Sequence, residues 1–418
     1  MRTKVTLTLI IMLVLPVVAE NRQNKLVWNG TIQVVNGVRI INNPKEPLFG
    51  DMEFMLDSPL NIGNKDDLNY SFNKIRDIEV DKYGNIYVLD TGNHRLQKFD
   101  SQGRYLQTYG NTEQGSGKLE TPLFINVADS SETIYVNNNQ RAIISFNSDG
   151  KYLGEIKPEG KFAQFFFDSN KGYWGKFLSP GLRSIKRIGS NGEINLELIE
   201  IPFDYSVNIL NTTKTGEYVS MQSLFIIHGY ERDLHITKLG DNHFVYGDSN
   251  EYELNEMDMM GKLVLKIKKA EPYEQFSSTA IESIETSIKN RAPIGGYDLR
   301  KVHLKFPEHV PFFVSLLTDD LERIYVQRTP KNKSQSESGE FDIFSKEGHY
   351  LYRVFIPARP FRLRKGFLYT ISTNELSGAE VVQRFKIKNW DQLKDSAGLG
   401  ARAVSKLLPE IGIINRPY

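Results

Sequence analysis

Hydrophobic and polar residues alternate along most of the chain with the short period of β-strands, and the pattern repeats. The stretch from Phe72 to Gly110 and the stretch from Thr121 to Ile156 carry similar strands with turn residues at matching places. A repeat of roughly 40 to 50 residues that holds four short strands is typical of a β-propeller blade. In the first repeat, the unbroken apolar run from Ile86 to Leu89 fits a strand that is buried on both faces. The sequence therefore predicts an all-β propeller.

Five turns mark the blades. In each turn a hydrophobic residue is followed four places later by glycine, and a strand-like stretch comes next. These turns are Phe99 to Gly103, Phe146 to Gly150, Ile188 to Gly192, Met257 to Gly261 and Phe344 to Gly348. Glycine is expected where a tight hairpin needs positive φ, which explains its recurrence. Five marker turns predict at least five blades.

A sixth blade can be assembled from the two ends of the chain. Residues 361–388 offer three strand-like pieces, and residues 51–56 give one strand without a partner before the first full blade. If that strand completes the last sheet, the ring closes without an exposed edge. We therefore expect six four-stranded blades over residues 46–390, after an N-terminal extension over 20–45 and before a C-terminal tail over 391–418.

One helix is expected between two of the blades. Residues 272–290 lie in a long gap between marker turns, and Phe276, Ile281, Ile284 and Ile288 recur there at close to helical spacing. We expect this helix to lie over one face of the ring. It would act there either as a plug over apolar surface or as a lid over a ligand pocket.

The first residues have the form of a secretory signal peptide. Arg2 and Lys4 precede an apolar run that ends at Val18, and the small residue Ala19 follows. The run is shorter than the roughly 20 residues that a membrane-spanning helix needs. The chain has no cysteine, which excludes disulfides, thiolate chemistry and a lipid-modified amino terminus. We expect a signal peptide over residues 1–19 and a secreted or periplasmic protein that is neither membrane-spanning nor a lipoprotein, and the lack of disulfides favours a bacterial source.

The net charge of the chain does not favour binding to a particular class of macromolecule. Lys and Arg number 52 and Asp and Glu number 51, so the chain is close to neutral. Nucleic-acid-binding proteins usually carry a basic excess, and this chain has none. We expect no nucleic-acid partner.

The first repeat contains the residues on which a family resemblance rests. The segment from Asn93 to Phe99, NHRLQKF, together with the preceding segment from Gly84 to Asp90, GNIYVLD, resembles the motif of NHL-repeat propellers. The chain after the signal peptide looks like the secreted bacterial six-bladed propellers of that superfamily. The resemblance implies a six-bladed ring, but it extends to lyases, lactonases, sensor domains and binding scaffolds. Fold alone does not choose among these functions.

Candidate site residues lie at strand ends and in one long loop. Arginines that start or flank strands could anchor a carboxylate or a sugar acid, or pair with a neighbouring blade. Carboxylates at strand ends could face the central channel or cap turns. A histidine in the long fourth unit could reach the axis or lie in an ordinary loop. The candidates for ligand binding are Arg76, Asp77, Asp90, Arg141, Arg183 and His228.

No complete catalytic or metal-binding signature is present in the sequence. The glycine-rich segment from Gly110 to Leu119 fails the spacing of a phosphate loop, and no Gly-x-Ser-x-Gly elbow occurs. None of the seven histidines lies at a recognised metal-ligand spacing, although a propeller can draw one ligand from each of several blades. We expect a monomeric binding module, without a cofactor, for a peptide, glycan or protein partner. The alternative is a lactonase-like hydrolase or lyase with calcium or zinc in the central channel.

Overall fold

The computed structural model of the chain describes twelve ranges of residues. They are 28–110, 116–128, 131–167, 172–179, 181–202, 208–212, 218–221, 232–290, 303–305, 308–330, 338–374 and 378–394. The predicted signal peptide, the candidate His228 and the tail beyond residue 394 lie outside them.

The described strands form six antiparallel blades. Four strands come first: β1 (Thr31–Val35), β2 (Val38–Asn43), β3 (Asp51–Glu53) and β4 (Leu60–Ile62). Blade 1 contains β5 (Ile75–Val80), β6 (Ile86–Asp90), β7 (Arg95–Phe99) and β8 (Tyr105–Tyr109). Blade 2 contains β9 (Pro122–Ala128), β10 (Thr133–Asn138), β11 (Ala142–Phe146) and β12 (Tyr152–Ile156). Blade 3 contains β13 (Lys161–Phe167), β14 (Tyr173–Ser179), β15 (Leu182–Ile188) and β16 (Ile194–Pro202).

The second half of the chain adds three blades and two insertions. After β17 (Asn208–Thr212) and β18 (Tyr218–Met221), blade 4 contains β19 (Leu234–Leu239), β20 (His243–Asp248), β21 (Glu253–Asp258) and β22 (Leu263–Lys269). The helix α1 (Ser278–Lys289) and β23 (His303–Lys305) follow, and β23 joins β17 and β18 in a separate sheet. Blade 5 contains β24 (Phe313–Thr318), β25 (Ile324–Arg328), β26 (Gly339–Phe344) and β27 (Tyr350–Ile356), and blade 6 contains β28 (Arg362–Arg364), β29 (Phe367–Thr373) and β30 (Glu380–Lys386).

Apolar clusters fill the junctions between neighbouring blades. Leu89 of blade 1 and Val136 of blade 2 belong to one such cluster, and Ile143 and Phe162 belong to the next, between blades 2 and 3. Trp174 of blade 3 lies against Phe244 of blade 4, with ring centroids 4.8 Å apart. Each sheet therefore buries both faces, as the unbroken apolar strands of the sequence predicted. The six-bladed propeller is confirmed.

The marker turns owe their form to a polar residue as well as to glycine. All five marker glycines lie at positive φ, between 76° and 89°. In blade 1, one carboxylate oxygen of Asp100 accepts from the N–H groups of Gln102 and Arg104 at 2.8 and 2.9 Å. Asn147 holds the corresponding turn of blade 2 in the same way. In blades 1, 2 and 4, the turn between the third and fourth strands is thus fixed by an Asp or Asn cap and a left-handed glycine.

An N-terminal strand closes the ring, but it is not the segment that the sequence predicted. Strand β4 pairs antiparallel with β30 as the fourth strand of blade 6, and Ile62 lies opposite Val382. The predicted segment, residues 51–56, instead provides β3, which runs parallel to β27 as a fifth strand of blade 5. Ile62 packs into the cluster between blades 6 and 1, whereas Phe54 packs between blades 5 and 6. Both segments are short and partly apolar, so their pattern did not reveal which one closes the ring.

The segment from Val38 to Ile62, here called the N-terminal strap, lies along the outer edges of three blades. Strand β2 runs parallel to β22 of blade 4, β3 covers blade 5 and β4 completes blade 6. Strand β1 pairs with β2 and widens the sheet of blade 4 to six strands. Part of the predicted N-terminal extension is therefore built into the propeller.

The helix α1 is shorter than predicted. It begins at Ser278 instead of residue 272, and the hydroxyl of Ser277 accepts from the N–H of Ala280 at 3.1 Å as an N-cap. Ile284 is buried, so one side of the helix packs against the rest of the protein. Within the described ranges, no helix has the length and apolar character that crossing a membrane requires.

We predict that ring closure depends on Ile62. Truncating this fully buried side chain in Ile62→Ala should lower the free energy of unfolding by about 2–4 kcal/mol, because it opens a cavity between blades 6 and 1. The control is Leu153→Ala on β12, another outermost strand, where the side chain is half exposed and the loss should be clearly smaller. Chemical denaturation of both variants measures these changes in the free energy of unfolding. Equal decreases in the two variants would contradict the assignment of β4 as the closing strand.

Candidate functional site

A cavity of about 360 Å³ opens on the axis of the ring. It lies at the face where the first strand of each blade turns into the second, here called the cavity face. All six innermost strands contribute to its walls, and the cavity is called the channel mouth below. One polar residue from each of these strands lines it: Glu79, Asn126, Gln164, Thr237, Thr318 and Arg362.

A buried ionic group lies at one side of the channel mouth. The guanidinium of Arg362 donates from Nε to Glu79 at 3.2 Å, and its Nη2 lies 3.3 Å from a carboxylate oxygen of Asp77. The other carboxylate oxygen of Asp77 accepts from the N–H of Ile125 at 3.1 Å. Asp77, Glu79 and Arg362, here called the axial latch, therefore join blades 6, 1 and 2 next to the axis.

Burial makes Asp77 harder to ionise. Its removal from water raises the pKa of Asp77 to about 6, against the opposing effects of Arg362 and of the Ile125 N–H, and the nearby Glu79 adds to the rise. Of the sequence-predicted candidates within the described ranges, Asp77 is the one that lies beside the cavity. Its carboxylate is held within the axial latch, so its first role is to join blades.

The other charged groups at the channel mouth also have partners. Lys238 donates to Asp241 at 2.7 Å, and Glu322 pairs with Lys346. Asp320 accepts from the backbone N–H of Lys365 at 2.7 Å. Each of these charged groups is therefore engaged within the protein, Asp320 by a neutral N–H group and the others by ion pairs.

Two neutral amides at the channel mouth have spare hydrogen-bonding capacity. The side chain of Asn126 is only 6% exposed and makes no hydrogen bond to any other described residue. Gln164, on the neighbouring inner strand, likewise has no side-chain hydrogen bond within the described ranges. Phe124 and Phe166 line the wall beside them. Because both residues line the cavity, their amides can donate to and accept from a ligand there, which marks this wall as a candidate binding surface.

The three candidate arginines lie at the opposite face of the ring, where the innermost strands begin and the second strand turns into the third. Arg76 is exposed near the start of β5, and Arg141 is exposed at the turn between β10 and β11. Arg183, at the start of β15, donates to the carbonyl of Leu182 at 2.9 Å and lies 3.7 Å from Asp233. The structure therefore does not bring these arginines together with the axial latch. Their role as ligand anchors stays a prediction.

Asp90 is a fully buried turn residue at that same opposite face. Its carboxylate accepts from the N–H of Asn73, the amide of Asn93 and the Nε of Arg95, each at 2.8 Å. The residues that resemble the NHL motif thus meet each other in the turn after β6. These contacts stabilise the turn of blade 1.

Two further ionic clusters lie away from the channel mouth. Asp233 accepts from Lys176 at 2.6 Å. The nearby His235 is half-buried, and its partial removal from water lowers the pKa of its imidazole to about 4 although Asp233 opposes this shift. The second cluster lies between blades 4 and 5 and is closed by hydrogen bonds among its own members. Its members are Tyr252, Lys269, Glu271, Arg328, Asp342 and Tyr350.

Among the described residues, no group of three or more His, Asp or Glu side chains is arranged to hold a metal ion. The calcium or zinc site of the alternative function stays a prediction.

Sequence reasoning did not select Glu79, Asn126, Gln164 or Arg362. They lie on four different blades and share no local motif, so only the ring brings them together. The one available signal was their position on the first strand of each blade, where a polar residue interrupts apolar neighbours.

Comparisons with known proteins agree with the architecture. The family DUF5128, described as a 6-bladed beta-propeller, matches residues 65–214. No curated protein matches the chain.

Among solved structures, a putative exported protein from Bacteroides fragilis is similar with a TM-score of 0.50 and 10% identity, over 84% of this chain and 99% of that one. Virginiamycin B lyase from Staphylococcus aureus has a TM-score of 0.40 and 9% identity, over 79% of this chain and 99% of that one. At such identities the likeness concerns the fold alone, and the chain is a six-bladed β-propeller.

We predict that Asp77 makes the protein more stable in mild acid. Because its pKa is about 6 in the folded protein and near 3.8 when unfolded, folding takes up a proton between these values. Its contribution to the free energy of unfolding should therefore fall as pH rises from about 4 to about 6, by on the order of 2 kcal/mol. Denaturation of the wild type and of Asp77→Asn across this range measures the effect. A difference between the two proteins that does not change with pH would contradict it.

His235 should act in the opposite direction. Its pKa is about 4 when folded against 6.5 when unfolded, so unfolding takes up a proton between these values. The stability that His235 contributes should rise as pH increases from about 4 to 6.5 and be constant above. Comparison of the wild type with His235→Gln over the same pH series should give a difference of opposite slope to that of Asp77→Asn. Parallel slopes for the two variants would disprove this assignment.

Proposed function

We propose that the protein is a secreted or periplasmic binding propeller whose ligand occupies the channel mouth. The observation that carries the proposal is the cavity of about 360 Å³ with walls from all six innermost strands. Small-molecule sites usually measure about 300 to 1,000 Å³, so the cavity suits a small ligand or the end of a glycan or peptide chain.

The construction of the walls supports binding at this place. Sites on strands hold their side chains more precisely than sites on loops, and here each of the six innermost strands places at least one polar side chain on the wall. Thr318 donates to the carbonyl of Lys238 at 2.7 Å, which joins the inner strands of blades 4 and 5 at the cavity. A ligand would therefore meet a preformed surface.

The proposed location rests on the amino-terminal sequence. Arg2 and Lys4, the apolar run that follows and Ala19 have the form of a cleaved signal peptide. Amino-terminal sequencing of the protein recovered from an exporting host would test this, and a chain that still begins at Met1 would contradict it.

Filling the cavity should abolish binding. Thr237→Trp places a large ring in the wall of the channel mouth, whereas Thr373→Trp adds the same ring at an exposed position at the end of β29. A library of oligosaccharides and short peptides would be screened against the wild type by isothermal titration calorimetry. We expect ligands of the wild type to bind Thr373→Trp with unchanged affinity and to lose at least tenfold in affinity for Thr237→Trp. Ligands that bind both variants equally would place the site elsewhere and overturn the proposal.

Elemental analysis with native mass spectrometry tests the alternative function. The protein would be purified without chelator and its mass would also report the expected monomer. A stoichiometric calcium or zinc that EDTA removes would favour the hydrolase or lyase over the binding module.

A further inference from the structure

We infer that the ligand of the channel mouth is a neutral, hydroxyl-rich chain end, such as the last sugars of an uncharged glycan. This inference rests on the proposed function, because it specifies the chemistry of the ligand at the same site. Three features of the channel mouth lead to it: satisfied charges, amides that face the cavity and adjacent aromatic rings.

The charged groups of the channel mouth are already engaged within the protein. Glu79 accepts from Arg362 at 3.2 Å with one oxygen and from the N–H of Val80 at 3.0 Å with the other. Arg362 in turn faces both Glu79 and Asp77. A charged ligand that paired with a member of the axial latch would have to separate one of these pairs and leave a partly buried charge without its partner, which is costly. A neutral ligand leaves every pair intact.

The amides of the channel mouth, in contrast, have hydrogen-bonding groups that face the cavity. A primary amide offers two donors and one acceptor from the same plane, and Asn126 presents this set from a position that is over nine-tenths buried. Neighbouring hydroxyl groups of a sugar both donate and accept, so they can satisfy all three sites. Gln164 presents a second amide on the next inner strand. These groups lie on the wall formed by blades 2 and 3, and neither amide is hydrogen-bonded to the axial latch.

Aromatic rings lie beside the two amides. Phe124 precedes Asn126 by two positions on β9, and Phe166 follows Gln164 by two positions on β13, and both line the cavity. A sugar ring has an apolar face of C–H groups that packs on an aromatic side chain while its hydroxyls bond at the edge. Amides and phenyl rings on one wall therefore match the mixed character of a sugar.

The experiment compares three kinds of probe on the wild type. Neutral probes are cellobiose, maltose and diacetylchitobiose, anionic probes are digalacturonic acid and galacturonic acid, and peptide probes are trialanine and trilysine. Binding is measured by ligand-observed NMR and isothermal titration calorimetry. We expect at least one neutral saccharide to bind more tightly, by tenfold or more, than any anionic or peptide probe.

Two variants locate the contact. Asn126→Leu keeps the size of the side chain but removes its hydrogen bonds, and it should weaken neutral saccharide binding by at least tenfold. Asn195→Leu makes the same change at an exposed position on the outermost strand β16 and should have no effect. If Asn126→Leu does not fold, as judged by its melting temperature, Gln164→Leu serves as the second test of the same wall.

The outcomes separate the inference from the proposed function. A charged probe or a peptide that binds best and is blocked by Thr237→Trp would overturn the neutral glycan but leave binding at the channel mouth in place. Saccharide binding that Asn126→Leu and Gln164→Leu both leave unchanged would also overturn the inference. Failure of all the probes to bind would overturn it as well, and failure of the wider oligosaccharide and peptide library would then overturn the proposed function too.

Discussion

Closure of the ring depends on blade 6 making contact with blade 1, and the protein secures this contact at two distances from the axis. Near the axis, Arg362 of blade 6 bonds to Glu79 and approaches Asp77 of blade 1, and Asp77 reaches on to Ile125 of blade 2. At the rim, β4 supplies the fourth strand of blade 6. Both contacts flank the apolar cluster between blades 6 and 1, so they shield from water the junction at which the ring closes.

The same junction determines the character of the proposed site. Because Arg362 is committed to two carboxylates, it holds the blades together and is not available to anchor an anionic ligand. The capacity to bind falls to Asn126 and Gln164 on the neighbouring wall, which take no part in closure. The residues that close the ring therefore lie on one side of the cavity, and the residues proposed to bind the ligand lie on the other. This division is why variants of the amides can test binding without opening the ring.

The fold could be predicted from the sequence because each blade repeats a local signal. The Asp100 cap and Gly103 act within five residues of chain, so the marker turn is visible wherever it recurs. The closing strand could not be chosen by the same means. Residues 51–56 and Leu60–Ile62 have similar patterns of apolar and polar residues, and they differ only in the strand with which each one pairs. The candidate site was even harder to predict from the sequence. Asp77 was selected as a carboxylate at a strand end. Asn126 can be recognised as a site residue only in the folded ring, where six distant strands meet.

The N-terminal strap gives the protein an order of assembly. Asn61 of β4 bonds to Gln383 of β30, a residue 322 positions later in the chain. Blade 6 cannot be completed until nearly the whole polypeptide has been synthesised, and contacts between such distant segments form slowly. The ring therefore stays open until the C-terminal part of the chain has been synthesised. If the protein is exported as proposed above, that delay would keep the chain unfolded for translocation, because the strand pairing that completes blade 6 cannot form early.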